Sequence, residues 1–381
     1  MKKFPPKIII LILVAILIFL GFFYFMNSYF KKEKELIDRI GQMIMMGFRG
    51  TEVSSDSSVA KIIKSVRVGG VILFDYDTPS KSYPRNIVDP EQTKKLISDL
   101  QKYSETPLFV AVDAEGGKVN RLKEKYGFIP ILSPKEMGKD KSLETTKQEA
   151  EKLSAELKDL GFNLNFAPVV DVDVNPKNPV IGGLGRSFSA DPEKVFENAK
   201  VFIEAFRNNN IITTAKHFPG HGSSTNDSHL GMVDVTNTYK DEELIPYQKL
   251  QQQGLLDTVM TAHIMNRKID ENYPATLSPN FLQNILREQI GFNGVIISDD
   301  MQMNAITSQY GFEEALIRAI NAGCDILILS NNGQAEYDEN LAYKARDIIY
   351  KAVKDGKIPL KKIINSYGRI YNLKKQFGII N

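Results

Sequence analysis

The chain has 381 residues, of which 43% are hydrophobic and 25% charged, and its 48 Lys and Arg residues nearly balance 46 Asp and Glu. This is globular composition, with enough length for one large domain or two average ones. There is no basic excess, and no basic block interleaved with aromatic residues, so nucleic acid is excluded as a predicted partner. A single cysteine excludes an intrachain disulfide framework and a cysteine-rich zinc site.

The N-terminal 35 residues differ in kind from the rest of the chain. Three lysines lie among the first seven residues, and an uncharged, strongly apolar run follows from Ile8 to Met26. A helix rising about 1.5 Å per residue spans a bilayer core of roughly 30 Å over such a length. The run is longer than the apolar part of a cleaved signal peptide and lacks a small-residue cleavage site. We therefore predict a transmembrane signal anchor in residues 1–35, at the cell membrane, with residues 36–381 extracytoplasmic; a cleaved signal is the alternative.

Residues 36–381 alternate short apolar runs of β type with amphipathic helical stretches. Continuous apolar strands that alternate with helices indicate a parallel sheet covered on both faces. Eight such units predict an α/β fold, a (β/α)8 TIM-type barrel that forms one catalytic domain, with a doubly wound open sheet as the alternative. No G-x-G-x-x-G follows the first strand, which disfavours dinucleotide binding. The eight runs are 42–48, 69–74, 108–113, 164–172, 211–216, 258–263, 294–299 and 325–330.

Polar residues gather where these predicted strands end. Asp113 ends the third strand, and Asp171 and Asp173 lie at the end of the fourth. Lys216 and His217 follow the fifth strand, and Asp299 with Asp300 ends the seventh. All four histidines of the chain lie at or just after the ends of strands five and six. Active sites of such barrels lie at the carboxyl ends of the strands, so we predict a functional site on this face.

Three of the four histidines lie in one short stretch, KHFPGHGSSTNDSH, residues 216–229. His217 and His221 have the spacing of two zinc ligands on a helix. However, Pro219 and Gly220 between them exclude a helix, and the glutamate of an H-E-x-x-H motif is missing. A metal site is therefore the weaker interpretation of this stretch.

Acid–base chemistry is the stronger interpretation. Histidine side chains ordinarily titrate near neutrality, so His229 is suited to donate a proton and then recover it. Asp227 is placed to support the imidazolium, and Asp299, at a rigid strand end, suits a nucleophile. From the residues alone these features predict a barrel hydrolase, with carbohydrate as the candidate substrate.

Five motifs resemble those of bacterial β-N-acetylhexosaminidases of glycoside hydrolase family 3, and the resemblance runs from about residue 36 to the C-terminus. They are AVDAEGGKVNRL (111–122), GRSFSADPE (185–193), KHFPGHGSSTNDSH (216–229), TAHI (261–264) and IISDDMQM (296–303). The resemblance implies a retaining hydrolase of the single-domain type that works through a covalent glycosyl-enzyme. We predict no cofactor and no metal.

The resemblance also implies a role for each matching residue. Asp299 is expected to be the nucleophile, His229 the acid/base and Asp227 its partner. Residues 216–229 otherwise contain His221, which we expect to shape the loop. From the residues alone, Asp299 and Asp300 are equal candidates for the nucleophile, whereas the family pattern favours the first. The residues expected to bind the hydroxyls and N-acetyl group of the sugar are Asp113, Arg121, Arg186, Lys216 and His217.

The chain departs from the family pattern in three ways. The segment DYDTPSKSYPRNIVDP, residues 75–90, is longer than typical after the second strand. Its Pro, Ser and Asp content predicts a surface loop, and its place on the catalytic face makes contact with a long substrate the alternative. Lys118 stands where family members commonly have arginine, and the second αβα domain of many members is expected to be missing.

Together with the anchor, these features predict an exo-β-N-acetylglucosaminidase that removes terminal β-linked GlcNAc from peptidoglycan-derived glycans. Two alternatives remain open. The first is a β-N-acetylglucosaminide phosphorylase with the same site, since a histidine acid/base does not repel phosphate as a carboxylate would. The second is an inactive wall-binding protein on the same fold.

Overall fold

The computed structural model describes residues 30–228 and 231–381, with Phe19, Tyr24, Met26 and Asn27. The predicted anchor run, residues 8–26, therefore lies almost wholly outside the described residues, and so does His229. In the part of the chain that is described, no helix has the length and apolarity needed to cross a membrane. The anchor remains a prediction.

The predicted barrel is present. Within the described residues, eight parallel strands form a closed ring in which each strand pairs with its neighbours in chain order, and the last pairs with the first. The strands are β1 (Ile44–Gly47), β2 (Gly70–Ile72), β3 (Phe109–Val112), β4 (Leu164–Asn165), β5 (Ile212–Phe218), β6 (Thr258–Thr261), β7 (Val295–Asp300) and β8 (Ile326–Leu329).

Helices connect the strands. A helix covers residues 30–42 before β1. The further helices are Ser58–Val66, Pro90–Gln101, Pro134–Met137, Glu144–Leu160, Pro192–Asn208, Ile245–Gln252, Asn280–Gln289 (a π-helix), Asn304–Tyr310, Phe312–Ala322, Leu341–Lys354 and Leu360–Gln376. Short 3₁₀ turns cover Glu124–Tyr126, Gly182–Leu184, Asp241–Leu244 and Ala275–Leu277. Two small strand pairs lie outside the barrel, Ala114–Gly116 with Val119–Asn120 and Val233–Asp234 with Ile264–Met265.

Local sequence explains where the long helices begin. The side chain of Asp89 accepts a hydrogen bond from the backbone N–H of Gln92, and Pro90 occupies the first turn. Asp191 caps the helix Pro192–Asn208 in the same way. An aspartate cap followed by proline satisfies a helix-end N–H group and fixes φ for the first turn. These helices therefore start directly after the loops on the catalytic face.

The strands are buried on both faces. All seven residues of β5 and all four of β8 are buried, as expected for a sheet enclosed by helices. Burial ends at the carboxyl end of β7, where Asp299 and Asp300 are partly exposed. The hydrophobic core therefore stops at the level where the polar strand ends begin.

β4 is much shorter than the predicted strand 164–172. It covers Leu164–Asn165, and beyond it the bridge between Val169 and Lys216 is isolated. Pro168 has no backbone N–H to donate to a neighbouring strand, so the ladder is interrupted there. The apolar run continues past this point as a buried segment, which brings Asp171 beside β5.

Candidate active site

A cavity of about 410 Å³ opens at the carboxyl ends of the barrel strands. It is polar at its base and includes side chains that follow β3, β5 and β7. His229 lies outside the described residues, but every other predicted site residue lines this cavity. These residues are Asp113, Arg121, Arg186, Lys216, His217, Asp227 and Asp299.

A network of buried charges forms the base of the cavity. Arg186 donates two hydrogen bonds to the carboxylate of Glu115, from Nε at 2.8 Å and Nη2 at 2.7 Å. The Nζ of Lys216 lies 2.7 Å from Glu115 Oε1 and 2.9 Å from Asp113 Oδ1. Arg121 approaches the other oxygen of Asp113 at 3.7 Å. Two carboxylates are thus held among three cations, and a planar two-bond pairing fixes the guanidinium of Arg186.

The network sets the charge state of its members. Burial alone would raise the pKa of Asp113, but Lys216 and Arg121 outweigh it and lower that pKa to about 2. Burial likewise opposes the charged form of Glu115, and Arg186 with Lys216 lowers its pKa. The pKa of Lys216 is raised, because its two carboxylate partners overcome its own desolvation. The residues at the base are therefore ionised at neutral pH, as donors and acceptors ready for a neutral polar ligand.

His217 is oriented from both sides. Its Nε2 lies 3.2 Å from Nη2 of Arg186, which has only protons to donate, so this ring nitrogen accepts. Its Nδ1 therefore carries the proton and donates to Asp171 Oδ2 at 2.7 Å. Asp171 is fully buried, and the nearby histidine overcomes the effect of burial to lower the pKa of its carboxyl. Both ring nitrogens of His217 are thus engaged in the resting site.

His221 lies next to His217, lines the same cavity and is nearly inaccessible to solvent. Its backbone N–H donates to Asp171 Oδ1 at 2.7 Å, and its Nε2 is 3.2 Å from the hydroxyl of Ser228. Burial lowers the pKa of His221 to about 4, so the ring is neutral at physiological pH. Within the described residues, no group of three or more His, Cys, Asp or Glu side chains is arranged to hold a metal ion. His221 contacts the loop that carries Asp227, in agreement with the predicted loop-shaping role.

The start of this loop rests on Glu243. Its Oε2 accepts hydrogen bonds from the backbone N–H groups of Gly222 at 2.8 Å and Ser223 at 3.2 Å. A Cβ atom on Gly222 would lie 1.7 Å from the carbonyl oxygen of Val172, so only glycine allows this approach. Gly220 has φ 132°, and a Cβ there would lie 2.5 Å from Glu243. The carboxyl of Glu243 and the two glycines therefore fix the root of the loop.

Glu243 makes the free energy of unfolding depend on pH. Burial raises its pKa from 4.5 to about 7. The folded chain therefore binds this proton more tightly than the unfolded chain does. The stability contributed by Glu243 is complete below pH 4.5 and is lost as pH rises through about 7, a loss of about 3 kcal/mol. Glu243→Gln keeps an acceptor oxygen for Gly222 and does not titrate, so we expect its stability relative to wild type to increase between pH 4.5 and pH 8. Urea unfolding of both proteins across this range measures the difference, and a constant difference would contradict the assignment.

The structure distinguishes Asp299 from Asp300. The carboxylate of Asp300 accepts from the backbone N–H groups of Gln302 at 3.2 Å and Ser330 at 3.1 Å, and also from the Ser330 hydroxyl. Its backbone carbonyl accepts from Nε2 of His263 at 3.0 Å. Asp299 Oδ1 accepts from the backbone N–H of Asp300 at 2.8 Å. Asp300 thus joins β7 to the loop after β8, and Asp299 is held at the cavity wall by its neighbour.

Two acidic residues of this region, Glu115 and Glu243, were not predicted at the site, whereas Asp171 was expected on this face as a polar strand end. Glu115 lines the cavity, while Asp171 and Glu243 lie behind it. Glu115 comes two residues after Asp113, a spacing that places two side chains on the same side of an extended chain. Asp171 lies at the end of the apolar run that follows β4, and this strand-end position placed it on the catalytic face. Glu243 lies in a polar segment, 21 residues from its partner Gly222, and no local pattern identifies it.

The chain matches the family described as glycosyl hydrolase family 3 N terminal domain over residues 35–373. A β-hexosaminidase of Tolumonas auensis is 35% identical over 292 residues, which are 76% of this chain and 83% of that protein. A β-hexosaminidase of Photobacterium profundum is 34% identical over 290 residues, again 76% of this chain, and 82% of that protein.

Solved structures of similar enzymes also match this chain. A glycoside hydrolase family 3 β-N-acetylglucosaminidase from a Paenibacillus species is 33% identical with a TM-score of 0.81, over 90% of this chain and 62% of that chain. A β-N-acetylhexosaminidase from Beutenbergia cavernae is 26% identical with a TM-score of 0.77, over 89% of this chain and 98% of that chain. This chain therefore spans under two thirds of the Paenibacillus protein and nearly all of the Beutenbergia protein.

Proposed function

The chain belongs to glycosyl hydrolase family 3 and is a glycoside hydrolase of the β-hexosaminidase type, and on this basis we propose that it is a retaining exo-β-N-acetylglucosaminidase. The main support is that one cavity contains both the carboxylate of Asp299 and a buried polar base. This base includes Asp113, Lys216 and Arg186. A cavity of about 410 Å³ suits a single terminal sugar and favours removal of one residue at a time.

The base of the cavity supports recognition of an uncharged, hydroxylated ring. Asp113 and Lys216 present an acceptor and a donor that already face each other at 2.9 Å. Sugar hydroxyl groups both donate and accept, so they exchange with such a pair without leaving a buried charge unpaired. Arg186 and His217, each held by a buried carboxylate, add fixed groups for the ring and its N-acetyl substituent. Fixed groups lower the entropy cost of binding.

In the first half-reaction, an oxygen of Asp299 attacks the anomeric carbon. The new bond joins that carbon to the carboxylate oxygen, and the bond to the leaving-group oxygen breaks. His229 donates its proton to the leaving oxygen, so the aglycone departs as a neutral alcohol. Asp227 lines the same cavity and is proposed to stabilise the protonated imidazole of His229.

In the second half-reaction, neutral His229 removes a proton from water, and the water oxygen attacks the anomeric carbon. The ester bond to Asp299 breaks and the free carboxylate returns, with retained configuration at the sugar. Histidine has an ordinary pKa near neutrality, so it serves both halves without the burial that a carboxylic acid would need.

The substrate is tested with nitrophenyl glycosides of β-GlcNAc, β-glucose and β-xylose. Turnover of the GlcNAc compound is expected to exceed that of the other two by at least about tenfold, because the N-acetyl contacts are lost with them. The same assay with inorganic phosphate separates hydrolysis, which releases GlcNAc, from phosphorolysis, which releases GlcNAc 1-phosphate. Equal turnover of the three glycosides would refute GlcNAc specificity, and phosphate-dependent turnover would refute hydrolysis.

We also propose that residues 1–35 anchor the enzyme outside the cytoplasm, where peptidoglycan glycans are its substrate. The support is the apolar run from Ile8 to Met26, which is long enough to span a bilayer. A chain without residues 1–30 is expected to be soluble and active, whereas the full chain should sediment with membranes. Wild-type protein found free in the medium with a new N-terminus after Met26 would refute the anchor.

A further inference from the structure

The last helix, Leu360–Gln376, lies across the end of the barrel opposite the cavity. Arg369 donates two hydrogen bonds to Oδ1 of Asp325, the residue before β8, at 3.0 and 2.8 Å. The Nζ of Lys374 donates to the carbonyl oxygen of Gly69, the residue before β2, at 3.0 Å. These contacts are to the amino ends of the strands, whereas the cavity opens at their carboxyl ends. The outer face of this helix therefore points away from the active site.

This outer face carries an exposed row of large apolar side chains, which we call the apolar stripe. Leu360, Ile364 and Tyr371 are 48%, 42% and 40% exposed, and Tyr367 is half-buried between them. Residues four, seven and eleven positions apart lie on one side of an α-helix. The ring centroids of Tyr367 and Tyr371 are 6.2 Å apart. An exposed apolar row of this kind, unlike scattered single residues, is typical of a surface that binds another apolar surface.

Positive charge accompanies the apolar stripe. The helix contains five Lys and Arg residues and no Asp or Glu, although the two signs nearly balance in the whole chain. Lys361 directly follows Leu360, Lys375 lies one turn after Tyr371, and both lysines are exposed. Lysine and tyrosine have apolar bodies with polar tips, so they suit the boundary between acyl chains and headgroups. A helix with apolar and aromatic residues on one face and lysines beside them fits an anionic bilayer surface.

The N-terminal helix brings the chain to the same side of the barrel. Arg39, in the helix over residues 30–42, lies over the ring of Tyr367, 5.8 Å from its centroid. At the other end of that helix, Glu33 pairs with Lys354 at 2.5 Å. Lys354 ends the helix that follows β8, which runs from the carboxyl to the amino end of the barrel. The whole N-terminal helix therefore lies beside the apolar stripe, on the side opposite the cavity.

Little chain separates this side of the barrel from the proposed anchor. The apolar run ends at Met26, and Phe30 is already part of the described helix and 60% exposed. Four residues extend at most about 14 Å. The polar layer on each side of the hydrocarbon core is roughly 5–8 Å thick. A chain that leaves the core at Met26 therefore keeps Phe30, and the side of the barrel to which it belongs, close to the headgroups.

We propose that the apolar stripe, with Lys361 and Lys375, docks on the surface of the bilayer that holds the anchor, against anionic lipids. The inference rests on the proposed anchor. Leu360 and Ile364 enter the boundary between headgroups and acyl chains, while the lysines pair with lipid phosphates. The last helix then lies parallel to the membrane, and the cavity at the other end of the barrel opens away from the bilayer, towards glycans outside it.

The chain contains no tryptophan, so one introduced tryptophan reports the surroundings of a single position. Full-length Tyr371→Trp is reconstituted into vesicles of phosphatidylcholine and phosphatidylglycerol whose acyl chains are brominated near the headgroup. Its fluorescence is expected to fall by at least about half relative to unbrominated vesicles, since interfacial helices bury their apolar face at this depth. Tyr83→Trp is the matched control, because Tyr83 is 49% exposed and its ring lies 4.6 Å from Tyr76, which lines the cavity. It should not be quenched.

The charged part of the surface is tested in the Tyr371→Trp background. Lys361→Glu combined with Lys375→Glu is expected to lower the quenching by about twofold or more, since each basic residue at an anionic surface contributes to binding. Salt and vesicles of phosphatidylcholine alone should have the same effect on the parent chain. Lys147→Glu with Lys158→Glu, two exposed positions on an outer helix of the barrel, should leave the quenching unchanged. Quenching that responds equally to both pairs would refute a specific role of the two lysines.

Flotation of the vesicles separates failure of the anchor from failure of the docking. A full chain that does not float with the vesicles would refute the anchor, and the docking with it. A chain that floats, but whose tryptophans at 371 and 83 are quenched equally or not at all, would refute the docking alone. A second copy of the chain is the other possible occupant. Ile364→Cys tests it, because the native Cys324 is buried, and rapid disulfide-linked dimerisation on the vesicles would assign the stripe to that copy.

Discussion

Asp299→Asn is expected to lower turnover of β-GlcNAc substrates by about three to six orders of magnitude, the loss typical of removing a catalytic nucleophile. The amide has nearly the same shape and keeps the hydrogen bond from the N–H of Asp300, which is 2.8 Å in the wild type. Folding should therefore be preserved, and the loss should appear in kcat. The substitution removes only the negatively charged oxygen that forms the bond to the anomeric carbon.

Asp300→Asn is the matched control for this change. The Asp300 carboxylate is committed to the backbone of Gln302 and Ser330 and to the Ser330 hydroxyl. Its amide keeps one acceptor, so we expect a loss of activity of at most about a hundredfold, from a displaced β7 end. Trapping with a fluorosugar, followed by peptide mass spectrometry, identifies the esterified residue. A label on Asp300, or on no carboxylate, would overturn the assignment of Asp299.

His229→Ala is expected to slow hydrolysis by about 10²- to 10⁴-fold when the aglycone is another sugar, because the departing hydroxyl oxygen needs a proton. A nitrophenyl leaving group is stable as an anion. Formation of the glycosyl-enzyme from a nitrophenyl glycoside should therefore be much less impaired. Pre-steady-state measurement of nitrophenol release separates this first step from hydrolysis of the glycosyl-enzyme.

His217→Ala is the comparison for that experiment. Its ring is fixed between Arg186 and Asp171, so its loss removes contacts to the sugar and should slow both substrates alike. Activity of the wild type is expected to survive chelators. Equal damage by His229→Ala whatever the leaving group would refute the acid/base assignment, as would loss of activity on chelation that zinc restores.

Local patterns in the sequence are sufficient to predict eight parallel strands that alternate with helices, and the level at which the polar residues lie. Eight apolar runs without alternation require strands covered on both faces, and eight strands appear at those places in the described chain. The carboxyl ends of parallel strands lie on one side of the barrel. The predicted fold therefore places Asp113, Lys216 and Asp299 on the same side. Strand periodicity and strand ends are local properties, and a single chain displays them directly.

The pairing of the charged side chains depends on the tertiary structure. Glu115 and Arg186 are 71 residues apart, and their two-bond contact depends on how the loops after β3 and β4 meet. The same holds for Asp300 and Ser330. Their contact gives Asp300 a different role from Asp299, although both residues end the same strand. A buried ion pair is favourable only when geometry and additional hydrogen bonds offset desolvation. These conditions arise between distant segments, so no local pattern specifies them.

The 75–90 segment shows the same limit most clearly. Its Pro, Ser and Asp residues predict a surface loop, and that prediction is correct for the exposed positions of the segment. Its shape instead depends on Asp77, which pairs with Arg49, outside the segment, and with Arg85, within it. It also depends on Asn332, which lies in the loop after β8 and donates a hydrogen bond to the carbonyl of Tyr76. Composition reports the solvation of a segment, whereas its rigidity comes from partners that only the closed barrel brings together.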